Sequence, residues 1–346
     1  MNRVSDTLNM TEYRVRFGLI RRWAVLACLV TNPVAADISQ DPAVRQFVAE
    51  MQQKHRYPGA GLAQLFRQVT IQEPILNAMA RPYEAKPWHA YKKLFLTDKR
   101  IAGGRQFMQA HQTALAAATQ KYGVPGHIIA AIIGIETSYG ENPGKYRVID
   151  ALSTLAFAYP KRASFFRQEL EAFLLLCRDE NMPPDQPVGS YAGAMGYPQF
   201  MPSSFRGYAV DGNGDGRRDI WHDPVDAIAS VAHYLARNGW VNGEPVAVPA
   251  ELSQGATRLS GKVLKAEYSL DQLGADGIRP TQTGLSGTLR GNLVALEETG
   301  GTAWWVGFRN FYAITRYNHS ALYAMAAHQL GQALQAAPDS ARAGSP

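Results

Sequence analysis

The 346-residue sequence predicts a mainly α-helical (α+β) protein with a small β-containing lobe set before its last helix. Three observations predict it. Long stretches carry apolar residues at helical spacing behind proline or Asp-Pro starts. Residues 241–310 differ, being rich in Gly, Thr, Ser and Pro with short apolar runs between. A composition of 46% hydrophobic and 18% charged residues can bury a sizeable core.

The helices follow in order. Asp41-Pro42 pairs an N-cap with proline at the first helical position, and Phe47, Val48 and Met51 then repeat at helical spacing. Pro125 opens a strongly apolar helix that runs through Glu136 and frays near Gly140. Phe165, Phe166, Leu170, Phe173 and Leu174 mark another amphipathic helix. Asp223-Pro224 starts one carrying Ile228, Val231, Tyr234 and Leu235. The last follows Asn318, with Leu322, Met325, Ala326 and Leu330 on one face. In the lobe, Val246-Ala247-Val248, Leu293 to Leu296 and Trp304-Trp305-Val306 read as strands. No repeat of solenoid period is present.

The ends differ from the body. Residues 1–36 read as a signal peptide: Arg14, Arg16, Arg21 and Arg22 precede the apolar run Trp23–Val30, and Val34-Ala35-Ala36 offers a cleavage site before Asp37. Export to the periplasm is the expected outcome. Cys28 faintly suggests an outer-membrane lipoprotein, but the apolar run before it is short for one. Half of the formal +6 charge lies in this segment, which leaves no long basic run, so nucleic acid is not an expected partner. With Cys28 removed, Cys177 is alone and reads as a small buried hydrophobe. Residues 37–336 form the expected functional domain, and 337–346 a disordered Ala/Ser/Gly/Pro-rich tail.

Glu136 is the first residue to suggest chemistry. On its helix Ile132 and Ile133 lie one turn before it, and Tyr139 and Gly140 one turn after. A carboxyl on so apolar a face loses water, and desolvation raises its pKa, as a general acid for glycosidic cleavage requires. The stretch Ser190 to Ser204 is also unusual. Its small residues allow close backbone approach, Gln199 can donate and accept hydrogen bonds, and Tyr191 and Tyr197 offer flat faces with polar edges. The plainer alternative is a glycine-rich loop that merely packs.

Four separated strings carry a resemblance. They are Ile133-Gly134-Ile135-Glu136-Thr137, Gly144 to Leu152, Gly193 to Ser204, and Thr315-Arg316-Tyr317-Asn318-His319-Ser320. With them the chain, from about Pro58 to Leu334, resembles the membrane-bound lytic transglycosylase B family, the family 3 lytic transglycosylases. The resemblance implies a lysozyme-like catalytic core. It implies Glu136 as the acid/base, Ser190 as a serine contacting that carboxyl, and Gln199 in the glycan cleft with Tyr197 in the same string. Tyr91 is implied as a cleft tyrosine near the acid, and Tyr312, Tyr317 and Asn318 as the opposite wall. The implied partner is the peptidoglycan glycan strand, with cell-wall synthesis complexes as further candidates.

The implied reaction is cleavage of the β-1,4 bond from N-acetylmuramic acid to N-acetylglucosamine, closing a 1,6-anhydro ring. Glu136 serves first as acid and then as base, with assistance from the substrate's acetamido group. No second carboxylate in the motifs is an obvious partner, unlike the usual glycosidase pair. Two alternatives stand beside it: a hydrolytic muramidase sharing the acid, and a non-catalytic glycan-binding periplasmic protein.

Residues 211–226 suggest an EF-hand-like calcium loop. Asp211, Asn213 and Asp215 place oxygens at positions 1, 3 and 5, Gly216 makes the turn, and Arg217 offers its carbonyl. Asp219 is a further candidate ligand. Position 12 is His222 rather than glutamate, and the resemblance suggests Asp226 as the distal ligand. Asp223-Pro224-Val225-Asp226 fits a helix cap equally well. The expected cofactor is a structural Ca²⁺, with no organic cofactor. The remaining histidines form no metal pattern.

Overall fold

The computed structural model describes residues 37–80, 86–256 and 264–336. The expected signal peptide, Cys28 and the tail therefore lie outside the described residues. The helices are α1 (Pro42–His55), α2 (Gly59–Arg67), α3 (Glu73–Met79), α4 (Trp88–Tyr91), α5 (Asp98–Ala110), α6 (Gln112–Tyr122), α7 (Gly126–Thr137), α8 (Val148–Ala158), α9 (Ala163–Asp179), α10 (Pro202–Tyr208), α11 (Pro224–Arg237), α12 (Leu270–Ala275), α13 (Arg309–Thr315) and α14 (Ala321–Gln335). The strands are β1 (Tyr146–Arg147), β2 (Val188–Gly189), β3 (Ala247–Leu252), β4 (Tyr268–Ser269), β5 (Ile278–Pro280), β6 (Arg290–Glu298) and β7 (Gly301–Phe308). No described helix is long and apolar enough to cross a membrane.

The starts read from the sequence have the expected physics. Asp41 accepts from the Ala43 N–H and Asp223 from the Val225 N–H, each with proline at the first helical position. The last helix begins at Ala321, where the Ser320 hydroxyl accepts from the Tyr323 N–H. Buried residues from α1 through α14 form one large core. In its centre lies α7, whose Ile128, Ile129, Ile132 and Ile133 are at most 1% exposed. Each such side chain contributes about 1.5–3 kcal/mol by leaving water.

The lobe is a five-stranded antiparallel sheet in the order β4-β6-β7-β3-β5. It has a second, small core around Val248, Leu273, Leu293, Val306 and Phe308. β6 and β7 form a hairpin that pairs Glu298 with Gly301 at its tip. That tip reaches α4: Lys92 pairs with Glu298 at 2.6 Å, and the His89 ring meets the Glu297 carbonyl. The lobe thus braces the helix that carries Tyr91. Strands β4 and β5 and helix α12, with its Ser269/Gln272 capping box, have too few residues to stand out by periodicity.

Candidate active site

Glu136 is the penultimate residue of α7, and the helix stops hard behind it. Ser138 and Tyr139 both take left-handed backbone conformations, with φ of 52° and 63°. Tyrosine rarely adopts this conformation, and packing must hold it. Its ring lies 5.5 Å from that of Phe107, tilted by 31°, and against Gly134, where an added Cβ would lie 2.5 Å from the Tyr139 ring and hydroxyl. Thr137 then ties the helix end to the Ser190–Ser204 loop. Its hydroxyl accepts from the Gly140 N–H and lies 3.2 Å from the Tyr197 carbonyl.

The loop is held by its own backbone. Met195 and Phe200 exchange two hydrogen bonds, and Ser190 N–H donates to the Ala194 carbonyl at 2.8 Å. Gly196 has φ 64°, and a Cβ there would lie 2.3 Å from the Ile220 carbonyl oxygen, so glycine is required twice over. Gln199 also has positive φ, at 49°. Its Nε2 donates to the carbonyls of Pro143 and Gly196 at 3.1 and 3.0 Å. Two carbonyls can be served only by the NH₂ end, which sets the amide's orientation. Gln199 therefore offers the cleft an acceptor, not the donor-and-acceptor pair expected from its residue type.

The third side is aromatic. Tyr317 donates to the Pro198 carbonyl at 2.6 Å, and Tyr234 to the Arg316 carbonyl at 2.5 Å. Tyr317 stacks on Tyr323 with rings 6.4 Å apart and 8° from parallel. Tyr323, from α14, donates its hydroxyl to Glu136 Oε1 at 2.5 Å.

These pieces enclose a cleft of about 290 Å³ lined by Glu136, Ser190, Gln199, Tyr317 and Asn318, together with Tyr191, Phe200, Met201, Ser204 and Tyr234. Glu136 is its one acidic group. Burial pushes the Glu136 carboxyl up to about 7, against the smaller lowering effect of the Tyr323 hydrogen bond. Burial and the Glu136 carboxyl hold the phenols of Tyr317 and Tyr323 well above their usual range, so both remain donors. The nearest acid in sequence, Glu141, is exposed and paired with Lys99 at 3.2 Å.

Three predicted residues stand off the cleft lining. Tyr91 is buried beside Trp88 and Phe95, as an electrostatic neighbour of Tyr323. Tyr197 turns its half-buried ring toward Gly140. Tyr312 lies under the Arg316 guanidinium, 6.0 Å from the ring centroid. Ser190 lines the same cleft as Glu136. Ser190 Oγ accepts from the Ala192 and Ala194 N–H groups, and among the described residues the hydrogen-bond partner of Glu136 is Tyr323. Tyr323 was invisible to spacing because it lies 187 residues from Glu136 and reads as one more core aromatic.

The aspartate loop has the turns its pattern predicts. Asp211 accepts from the N–H groups of Gly214 and Gly216, Asn213 from that of Asp215, and Asp215 from that of Arg217. Asp219 caps Trp221 and His222. Asp226 is 1% exposed. Its two oxygens accept from Gly212 and Asp219 at 2.7 Å each, so it fastens the loop's ends together. Asp223 caps α11. Among the described residues no group of three His, Cys, Asp or Glu side chains is placed to hold a metal ion. The donor set is nevertheless all oxygen and rich in carboxylate, the chemistry a hard cation selects. Burial raises the Asp226 pKa, with Asp223 and Asp211 adding to it, which is the repulsion a bound cation relieves.

A mainly helical, lysozyme-like body with one desolvated glutamate in a glycan-sized cleft defines a class: enzymes that cut polysaccharide. Residues 39–332 match the transglycosylase SLT domain family, and the chain belongs to it. It is 44% identical over 311 residues to membrane-bound lytic murein transglycosylase B of Escherichia coli K12, covering 87% of this chain and 85% of that protein. The lytic transglycosylase SltB1 of Pseudomonas aeruginosa superposes with a TM-score of 0.82 at 47% identity, over 89% of this chain and 99% of that one. The E. coli lytic transglycosylase Slt35, solved in complex with calcium, gives 0.79 at 45% identity over 86% and 94%.

Proposed function

We propose that this chain is a lytic transglycosylase of peptidoglycan, cleaving the N-acetylmuramic acid to N-acetylglucosamine β-1,4 bond with Glu136 as its single proton carrier. The observation that carries this is the solitary carboxyl: one acidic group in the cleft, held near neutral pKa by burial. A hydrolase that works through a carboxylate pair needs a second acid within about 5–10 Å, and the cleft lining offers none.

The protonated Glu136 donates to the leaving O4 of N-acetylglucosamine as the bond to muramoyl C1 breaks. The substrate's own acetamido group supports the cationic C1. The Glu136 carboxylate, steadied by the Tyr323 hydroxyl, takes the proton from the muramoyl C6 hydroxyl as its oxygen closes on C1. Glu136 ends protonated, and no water is consumed. Gln199 supplies an acceptor for a sugar hydroxyl or acetamido N–H, while Ser190, Tyr317 and Asn318 line the walls. Tyr91, Tyr197 and Tyr312 support these walls from behind. Mass spectrometry of products released from purified sacculi tests this. Products one water lighter than hydrolysis products, without reducing muramic ends, are expected. Reducing ends make the chain a muramidase, and binding without release makes it a scaffold.

The aspartate loop is read as the site of a structural Ca²⁺, with Asp211, Asn213, Asp215 and the Arg217 carbonyl as ligands and Asp219 and Asp226 closing the loop. The calcium bound to Slt35 supports this reading. Calcium is expected to raise the melting temperature, and Asp215→Ala to abolish the rise. An unchanged wild-type melting temperature would overturn it. The basic and apolar N-terminal segment supports action in the periplasm, where the substrate lies.

A further inference from the structure

Arg100 sits where helix physics disfavours it. It is the third residue of α5, behind the Thr97 cap, where the helix dipole repels a cation. It is half-buried, and burial lowers its pKa against the smaller opposing effects of Tyr139 and Glu141. Its Nε is buried without a hydrogen-bond partner among the described residues. Neither of its side-chain hydrogen bonds is to a carboxylate. Glu141 acts on it only through space and is itself bonded to Lys99 at 3.2 Å. A sheltered guanidinium without a bonded anion costs stability, so the reason for it lies in what it holds.

It holds two segments that flank the acid. Nη2 donates to Ser138 Oγ at 3.2 Å, and Ser138 is the left-handed cap of α7, two residues after Glu136. Nη1 donates to the Leu94 carbonyl, and the guanidinium lies 5.3 Å from the centroid of the Phe95 ring. Phe95 packs on Tyr91 at 5.1 Å, and Tyr91 is an electrostatic neighbour of Tyr323, the donor to Glu136. One planar group thus spans from the stop of α7 to the segment that packs Tyr91. A guanidinium fork can meet acceptors on two elements at once, which an ammonium does poorly. Its charge also suits the end of α7, where the helix carbonyls converge.

We infer that Arg100 is a positioning residue for the proton transfer: by tying the stop of α7 to the Leu94–Phe95 segment, it fixes Glu136 against the Tyr323 hydroxyl. This rests on the reading of Glu136 as the proton carrier. Arg100 is not part of the cleft lining, so it acts through Glu136. The titratable groups set against Glu136 are Tyr317 and Tyr323, both held protonated. A loosened Tyr323 bond therefore shows in the Glu136 limb of the pH profile.

The test is steady-state turnover of purified sacculi across pH, well below the melting temperature. Arg100→Met keeps an apolar stem and removes the donors. It should lower kcat about tenfold, with KM within about twofold of wild type, and move the alkaline limb of kcat to higher pH. Arg100→Lys should fall between. Ser138→Gly removes the Oγ acceptor yet suits the left-handed backbone. It should lower kcat about threefold and add little to Arg100→Met. In a Tyr323→Phe background Arg100→Met should no longer move the limb. Lys99→Ala, which removes a cation from the same turn, should leave kcat and limb as in wild type. An unchanged kcat, a loss carried by KM alone, or a limb shift that persists in full without the Tyr323 hydroxyl each overturns the inference. If Arg100→Met does not fold, Ser138→Gly decides by the same readouts. A wild type without turnover would overturn the reading of Glu136 and this inference together, whereas turnover that Arg100→Met leaves unchanged overturns the inference alone.

Discussion

Glu136 and Asp226 are both carboxyls sheltered from water, and they are held in opposite ways. Asp226 gives each oxygen to a backbone N–H, of Gly212 and of Asp219. Asp150 and Glu169 follow the same rule: Asp150 takes a two-pronged Arg147 and the Thr70 N–H, and Glu169 the N–H and hydroxyl of Ser203. Among the described residues Glu136 has one hydrogen-bond partner, Tyr323, on one oxygen, and it also lines the cleft. The difference separates structure from chemistry. Burial raises the pKa of both, so what separates them is the bonding: a carboxyl with both oxygens spent anchors backbone, whereas one left half-satisfied at a cleft is available to exchange a proton with a ligand.

The sharpest attempt to break this comparison is Glu136→Gln. Turnover of sacculi is expected to fall about 10³-fold, since the amide keeps the shape and carries no proton. Glu136 has a folded-state pKa of about 7, above the ordinary 4.5. Its stabilising contribution is therefore full below pH 4.5 and lost as pH rises through 7. Glu136→Gln should accordingly melt higher than wild type at pH 8, and relatively less so at pH 5. Asp226→Asn is the opposite case. It should lower stability by about 2–4 kcal/mol, because an NH₂ now faces a backbone donor, with turnover retained below the new melting point. Loss of activity without loss of stability would erase the distinction.

Tyr323→Phe sharpens it further. Removing the donor favours the protonated carboxyl, so the alkaline limb of the kcat profile should move to higher pH while kcat falls about tenfold. A limb that stays in place would mean the bond does not steer the proton. Lys99→Ala sets the floor. Its ion pair with Glu141 is 85% and 58% exposed, and its loss should change stability by less than about 0.5 kcal/mol in denaturant melts.

How much of this was legible depended on distance along the chain. The major helices were, because Asp-Pro starts and apolar spacing act within a few turns. Glu136 was legible for the same reason: its apolar neighbours are Ile132 and Ile133, on its own helix. The strands of β6 and β7 were visible as apolar runs, but β4 and β5 were too short. What could not be read was set by contacts between distant segments. The acceptor-only face of Gln199 depends on the Pro143 carbonyl, 56 residues away. Asp226 showed its acid but not the two N–H groups that occupy it. Tyr91, Tyr197 and Tyr312 have the right residue type for a sugar wall, but spacing cannot say that the residues lining the cleft beside Glu136 are instead Tyr191, Tyr234 and Tyr317.

The bond from Tyr323 to Glu136 also sets a clock. A chain that emerges N-terminus first presents the acid long before the tyrosine, and α14, a helix of 15 residues, comes last. Until that helix docks, Glu136 has neither its partner nor the stacked Tyr317–Tyr323 wall. A nick between Glu136 and Tyr323 that frees α14 is therefore expected to lower turnover while Glu136 stays in the chain.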